Sequence, residues 1–271
     1  MTMMPTIVLV HGAWHGPWNW EKVENELTEM GWQVRTVDLP SVVRRDGPRF
    51  GLHDDAEVIR QHIAGIDGPV VVVAHSYGGA AVSEGAADLP NVRHIVYLTA
   101  FQLDIGESVL AACGGEPPEW WNIKGDIVTP CRPREVFYAD LAPEDAERAI
   151  AQLKPQSLAA FTETLKAAAW RTTPSTYVMC EQDHAIPLAA QEEMSARATS
   201  VRRLPSSHSP FLSMPGDLAD LIAEVSATCQ GCVVGVGPTG QEHEACLAAA
   251  ADDDPEKVAA KLHIREADAS T

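Results

Sequence analysis

Three residues that could carry acyl-transfer chemistry follow one another along this chain, each just past a β-branched run. Ser76 closes the stretch VVVVAHS at 70–76 and is followed by Tyr77, Gly78 and Gly79. Asp183 stands in MCEQDHAIP, and His208 in LPSSHSPF. A serine hydroxyl is a poor nucleophile until a base takes its proton, and a histidine does this when a carboxylate holds its ring in the right tautomer. Serine, aspartate and histidine in that chain order therefore point to a nucleophile, its orienting acid and its base.

Such chemistry requires the serine to project from a very tight turn between a strand and a helix. If PVVVVA is a buried strand and GAAVSEGAA opens a helix, His75, Ser76 and Tyr77 form that turn, and the hydroxyl emerges at the carboxyl edge of the sheet. Small neighbours are then needed, and Ala74, Gly78 and Gly79 supply them. Alanine takes the place of the first glycine in the pattern G-x-S-x-G. The N–H of Tyr77 would lie at a helix N-terminus, where unpaired donors and the helix dipole favour negative charge. A second donor is expected from the first-strand loop HGAWHG at 11–16, at Ala13.

Other residues compete for these roles. Asp104, in FQLDIGE after the strand at 92–99, is an alternative acid. His184 is too close along the chain to Asp183 to reach both it and Ser76. His11, His15 and His75 read as structural, with His75 packed behind the turn.

The elements that must position these groups alternate along the chain. TIVLV, QVRTV, PVVVVA, VRHIVYLTA, TYVMC and SVRRL read as six strands. Between and after them lie WNWEKVENELTEM, DDAEVIRQHIAGI, AAVSEGAADL, LAAQEEMSARA and GDLADLIAEVSA as helices. Repeated βα alternation predicts a mainly parallel sheet with helices on both faces. The rhythm breaks between Ala100 and Thr172. A structureless loop of that length is disfavoured, so a mostly helical insertion is expected, with helices at PEDAERAIAQL and QSLAAFTETLKAAA. The division expected is a core of 1–103 and 173–227, a cap of 104–172, and an extension of 228–271. Trp120, Trp121, Phe137, Tyr138, Phe161 and Trp170 of the cap, with Trp14 of the first loop, predict an apolar pocket. Trp14, Trp120, Trp121, Phe137 and Trp170 are the expected substrate contacts.

Composition narrows the partners. The 20 basic against 38 acidic residues give a formal charge of −18, which repels a phosphate backbone and an anionic membrane alike. Neither nucleic acid nor membrane is expected as a partner. No run approaches the ~18 uncharged apolar residues that span a bilayer, and MTMMPTIVLVHG lacks the basic region and cleavage site of a secretory signal. Six cysteines in 271 residues do not suggest a disulfide scaffold, so a reducing cytoplasm is the expected compartment. Cys229, Cys232, His243 and Cys246 have a spacing that zinc could use, yet chemistry of this kind needs neither metal nor cofactor, and none is expected. The extension could serve packing or a homodimer contact.

Taken together, VLVHGAWHGPWNWEKV, VVVAHSYGGAAVSEGA, VYLTAFQLDIGES, YVMCEQDHAIP and the serine-flanked His208 resemble the α/β-hydrolase superfamily. They are most similar to its small carboxylesterase branch of methylsalicylate-esterase, hydroxynitrile-lyase and pyrethroid-hydrolase type. The resemblance runs from about residue 5 to 227. It implies an α/β-hydrolase fold, a Ser76, Asp183, His208 triad, an oxyanion hole from the N–H groups of Ala13 and Tyr77, and a substrate pocket under the cap. Hydroxynitrile lyases place a threonine after the first-loop histidine and a lysine after the catalytic one. Here Gly12 and Ser209 stand there, which favours ester hydrolysis over lyase chemistry. A lyase, a cofactor-free dioxygenase, or a ligand-binding protein on the same scaffold are the alternatives.

Overall fold

Valine and isoleucine can occupy both faces of a strand only where both faces are covered, and the computed structural model, which describes residues 3–43 and 48–229, meets that condition. Six strands, β1 (Thr6–Val10), β2 (Val34–Val37), β3 (Val70–His75), β4 (Val92–Leu98), and two later ones, Ser175–Cys180 and Ser200–Leu204, form one sheet. Every neighbouring pair in it is parallel. In spatial order these strands are the second, first, third and fourth, followed by the two late ones.

Alternate residues of β3 serve opposite cores. Val70, Val72 and Ala74 pack into a cluster on one side of the sheet, whereas Val71 and Val73 join a cluster on the other. On the first side stand α2 (Leu52–Ala64), through Ile59 and Ile63, and α3 (Gly78–Gly85), through Ala80 and Ala81. On the second stands α1 (Glu21–Glu29), through Val23 and Leu27 at helical i, i+4 spacing, and it packs there with the last helix, Pro215–Thr228. From that last helix Leu218, Ile222 and Val225 are buried, and it meets the carboxyl-terminal strands through the same cluster.

Between β4 and the strand at Ser175–Cys180 the chain leaves the sheet. It forms α4 (Val109–Ala112), β5 (Trp121–Lys124), β6 (Ile127–Pro130), α5 (Pro133–Phe137), α6 (Pro143–Ile150), β7 (Gln156–Ser157) and α7 (Ala159–Thr162). The two late strands of the main sheet are accordingly β8 (Ser175–Cys180) and β9 (Ser200–Leu204), with α8 (Leu188–Ser195) between them, then α9 (Pro210–Ser213) and α10 (Pro215–Thr228). The helix predicted at PEDAERAIAQL is α6. Unlike the sequence expectation, β5, β6 and β7 build a three-stranded antiparallel sheet. The stretch QSLAAFTETLKAAA is not one helix: Gln156 and Ser157 pair with β6, and only Ala159–Thr162 is helical. Gln156 is drawn into that strand because its side chain is fully buried and satisfied by distant partners.

No helix among the described residues is long and apolar enough to cross a membrane. Cys232, His243 and Cys246, and most of the predicted extension, lie outside the described residues.

Candidate active site

Parallel βα units bring the carboxyl ends of β1, β3, β4, β8 and β9 to one edge of the sheet, where loops can converge. Ser76 follows β3 directly in the left-handed region, with φ of +52°, a conformation that costs a non-glycine residue of order 1–2 kcal/mol. The turn is held at both ends. Ser76 N–H donates to the Leu98 carbonyl at 3.3 Å, and its own carbonyl accepts from Gly79 N and Phe101 N, each at 3.0 Å. The helix that follows must approach the first loop closely. A Cβ on Gly78 would stand 2.5 Å from the His11 carbonyl oxygen, and one on Gly79 would stand 2.8 Å from Ala100 Cβ. Both glycines are therefore dictated by space.

His208 and Asp183 meet at the same edge. His208 Nδ1 lies 2.6 Å from Asp183 Oδ2, with both side chains buried. Four donors surround that carboxylate: Oδ2 also accepts from Thr99 Oγ1 at 2.5 Å, and Oδ1 accepts from the N–H groups of Ala185 and Ile186 at 2.6 and 3.0 Å. The histidine loop is pinned from two sides. Asp140 accepts from the N–H of Ser207 at 2.9 Å and from its hydroxyl. His75 Nε2–H donates to the His208 carbonyl at 2.9 Å, and the two rings lie 4.6 Å apart. Neither Ser76 Oγ nor His208 Nε2 is given to another group among the described residues; contacts of this type often close only when substrate is bound.

The competing groups are engaged elsewhere. Both oxygens of Asp104 accept from Arg171, at 2.8 and 2.7 Å, and that guanidinium holds the Asp104 carboxyl below its usual range. His184 Nδ1 is bonded to the Glu135 carbonyl at 2.9 Å. Burial pushes His15 down to about 3, so the ring stays neutral, donating from Nδ1 to the Ala13 carbonyl and accepting from Tyr138 at Nε2. His75, wholly buried, is likewise held well below its ordinary value by burial and by neighbouring His208. His11 receives the N–H of Leu39 at Nε2.

Trp14 joins the first loop to the insertion. It too adopts a left-handed conformation, with φ of +63°. Its N–H donates to Gln156 Oε1 at 3.0 Å, its carbonyl accepts from Lys154 N at 2.9 Å, and its indole N–H donates to the Val128 carbonyl at 3.0 Å. Around the Trp14 ring stand Trp120, Phe137 and Phe161, with centroids 5.3 to 5.6 Å away, and Trp121 at 6.1 Å. A narrow cavity of about 20 Å³ opens from Ser76 between Ala13, Trp14 and Tyr77 on the core side and Trp120, Trp121 and Phe161 on the insertion side. Neither Ala13 N–H nor Tyr77 N–H is donated to another group among the described residues.

Of the five predicted substrate contacts, Trp14, Trp120 and Trp121 line this cavity. Phe137 does not; its ring packs on Trp14 and on His208, 5.6 Å from each. Trp170 lies away from it, donating to the Leu103 carbonyl and stacking near Arg197. Phe101, Val109, Cys113, Ala185 and Ile186 complete the wall and were not singled out in the sequence. Ala185 and Ile186, two and three residues past Asp183, could have been found from that spacing.

Comparison with known proteins agrees with this architecture. Residues 7–221 match the model of the alpha/beta hydrolase family, and the chain belongs to that family. It is 30% identical to an alpha/beta hydrolase of Aspergillus novofumigatus, over 84% of this chain and 98% of that one. To a pyrethroid hydrolase of Sphingobium wenxiniae it is 29% identical, over 80% and 86% of the two chains. The crystal structure of a pyrethroid hydrolase from Sphingobium faniae superposes with a TM-score of 0.70 at 25% identity, covering 83% of this chain and 98% of that one. The two pyrethroid hydrolases belong to the small carboxylesterase branch that the sequence resembles.

Proposed function

We propose that the protein is a serine carboxylesterase that cleaves a small to medium carboxylic ester with a hydrophobic part. Ser76 attacks the carbonyl carbon while its proton passes to Nε2 of His208. Asp183 holds Nδ1–H and stabilises the imidazolium that forms. The carbonyl oxygen, now an oxyanion, accepts from the N–H groups of Ala13 and Tyr77, which are already in place when charge develops. His208 returns the proton to the departing alcohol. Water, deprotonated by the same ring, then releases the acid and restores Ser76. The steps call on no cofactor.

One observation carries this reading: a serine in a left-handed strand-to-helix turn opens on an aromatic cavity, at the sheet edge where an aspartate fixes a histidine at 2.6 Å. The cap is assigned to residues 104–172, over a core of 1–103 and 173–227. Cys113, Cys131, Cys180 and Cys229 are free thiols, which fits a reducing compartment such as the cytoplasm. The hydrolytic names of the relatives support the reaction class.

The apolar wall sets an expectation for acyl length. Each buried methylene is worth about 0.8 kcal/mol, so p-nitrophenyl butyrate, with two more than the acetate, is expected to show roughly tenfold higher kcat/KM. Steady-state rates of nitrophenol release with the two esters check this. Equal rates would place the acyl chain outside the aromatic cavity, and no release from either would remove the esterase reading.

A further inference from the structure

A buried carboxylate that the reaction itself does not use lies behind both proposed oxyanion donors. Asp55, in the first turn of α2, is wholly buried. Its Oδ2 accepts from the Tyr77 hydroxyl at 2.5 Å and from the Ser41 hydroxyl, and its Oδ1 accepts from Ser41 N–H at 2.9 Å. Ser41 Oγ accepts in turn from Gln156 Nε2 at 2.5 Å, and Gln156 Oε1 takes the N–H of Trp14 at 3.0 Å. Ser41, Asp55, Tyr77 and Gln156 are each no more than 1% exposed. The chain of bonds thus starts at Tyr77, the residue after Ser76, and ends at Trp14, the residue after Ala13.

Each end of that chain lies at or next to a residue whose backbone resists its conformation: Trp14 itself at one end, and Ser76 beside Tyr77 at the other. Trp14 and Ser76 have positive φ without being glycine, and such residues persist only where surrounding contacts over-determine them. Burial pushes the Asp55 carboxyl up to about 6, against the pull of the Ser41 and Tyr77 hydrogen bonds. At pH 8 the group is therefore an anion, acceptor-only, and able to hold all of these donors at once. A neutral amide would bring two N–H groups of its own to a place already crowded with donors.

We propose that Asp55 is a positioning residue for the oxyanion hole, its carboxylate setting the separation of the Ala13 and Tyr77 N–H groups through Tyr77 on one side and through Ser41 and Gln156 on the other. The inference rests on the esterase reading above and extends it. Transition-state stabilisation depends on donors placed to fractions of an ångström, so slackening this frame lowers kcat while leaving the apolar binding wall, and hence KM, in place.

The test uses the full chain at pH 8 with p-nitrophenyl butyrate, comparing the parent protein with Asp55→Asn, Tyr77→Phe and Gln156→Ala. A trifluoromethyl ketone, which forms an oxyanion on the serine, is used as inhibitor beside its methyl ketone counterpart. The expected result is a fall in kcat of about 10- to 100-fold in Asp55→Asn, with KM changed less than about threefold and trifluoromethyl ketone affinity lost by the same factor as kcat. Tyr77→Phe and Gln156→Ala each cut one arm, so they are expected to show smaller losses of the same kind. They keep the proposal testable if Asp55→Asn does not fold. Parent-like kcat in all folded variants, or losses confined to KM and thermal stability, overturns the positioning role while leaving the esterase reading intact. A parent protein without hydrolysis overturns both.

Discussion

Ser76→Ala and His208→Ala are each expected to lower kcat for p-nitrophenyl butyrate by roughly 10⁶-fold, and the double variant by no more than either alone, because the two groups act as one unit. The serine hydroxyl makes no hydrogen bond among the described residues, and alanine removes only that oxygen. The fold should survive, since the turn is held by backbone bonds of residue 76 to Leu98, Gly79 and Phe101. Circular dichroism and thermal melting of the variants separate lost chemistry from lost structure. Retention of more than about one per cent of parent activity in a folded Ser76→Ala protein would assign the nucleophile elsewhere.

Asp183→Asn is expected to cost about 10⁴-fold in kcat, by a different route. The N–H groups of Ala185 and Ile186 both point at Oδ1, so an asparagine must place its carbonyl there and its NH₂ at the Oδ2 position. That NH₂ then faces Nδ1 of His208 and the hydroxyl of Thr99. Two donors cannot share the contact, and His208 turns to the tautomer with its proton on Nε2. In that form it cannot take the proton of Ser76. Steady-state kinetics on the folded variant check the magnitude. An effect below about tenfold would show that another carboxylate orients the base.

How far the sequence carried this account differs from element to element. The sheet strands were legible because Val and Ile occupy both faces of β1, β3 and β4, which only helices on both sides can cover. The antiparallel sheet of the insertion was missed although it left a signal. WNIKGDIVT holds a two-residue Gly-Asp connection between short alternating runs, and Gly125 adopts a φ of +63° there. The helix read across residues 156–169 failed for a reason outside that segment. Gln156 is claimed by Trp14 and Ser41, 142 and 115 positions away, and tertiary contacts override local propensity.

The same divide runs through the candidate site. Ser76, Asp183 and His208 each follow a readable strand, and parallel topology alone delivers them to one edge. Their supports do not follow any such rule. Thr99 reaches Asp183 across 84 positions and Asp140 reaches Ser207 across 67. Asp55 sits in an amphipathic helix where an acidic residue in the first turn ordinarily reads as a solvated charge. Only packing shows that it is buried and faces Tyr77.

Labelling with a fluorophosphonate, followed by intact mass and peptide mapping, decides whether Ser76 is the nucleophile. A single adduct is expected, located on Ser76, absent from Ser76→Ala and formed far more slowly in His208→Ala. An unmodified parent protein, or an adduct on a different serine, would contradict it.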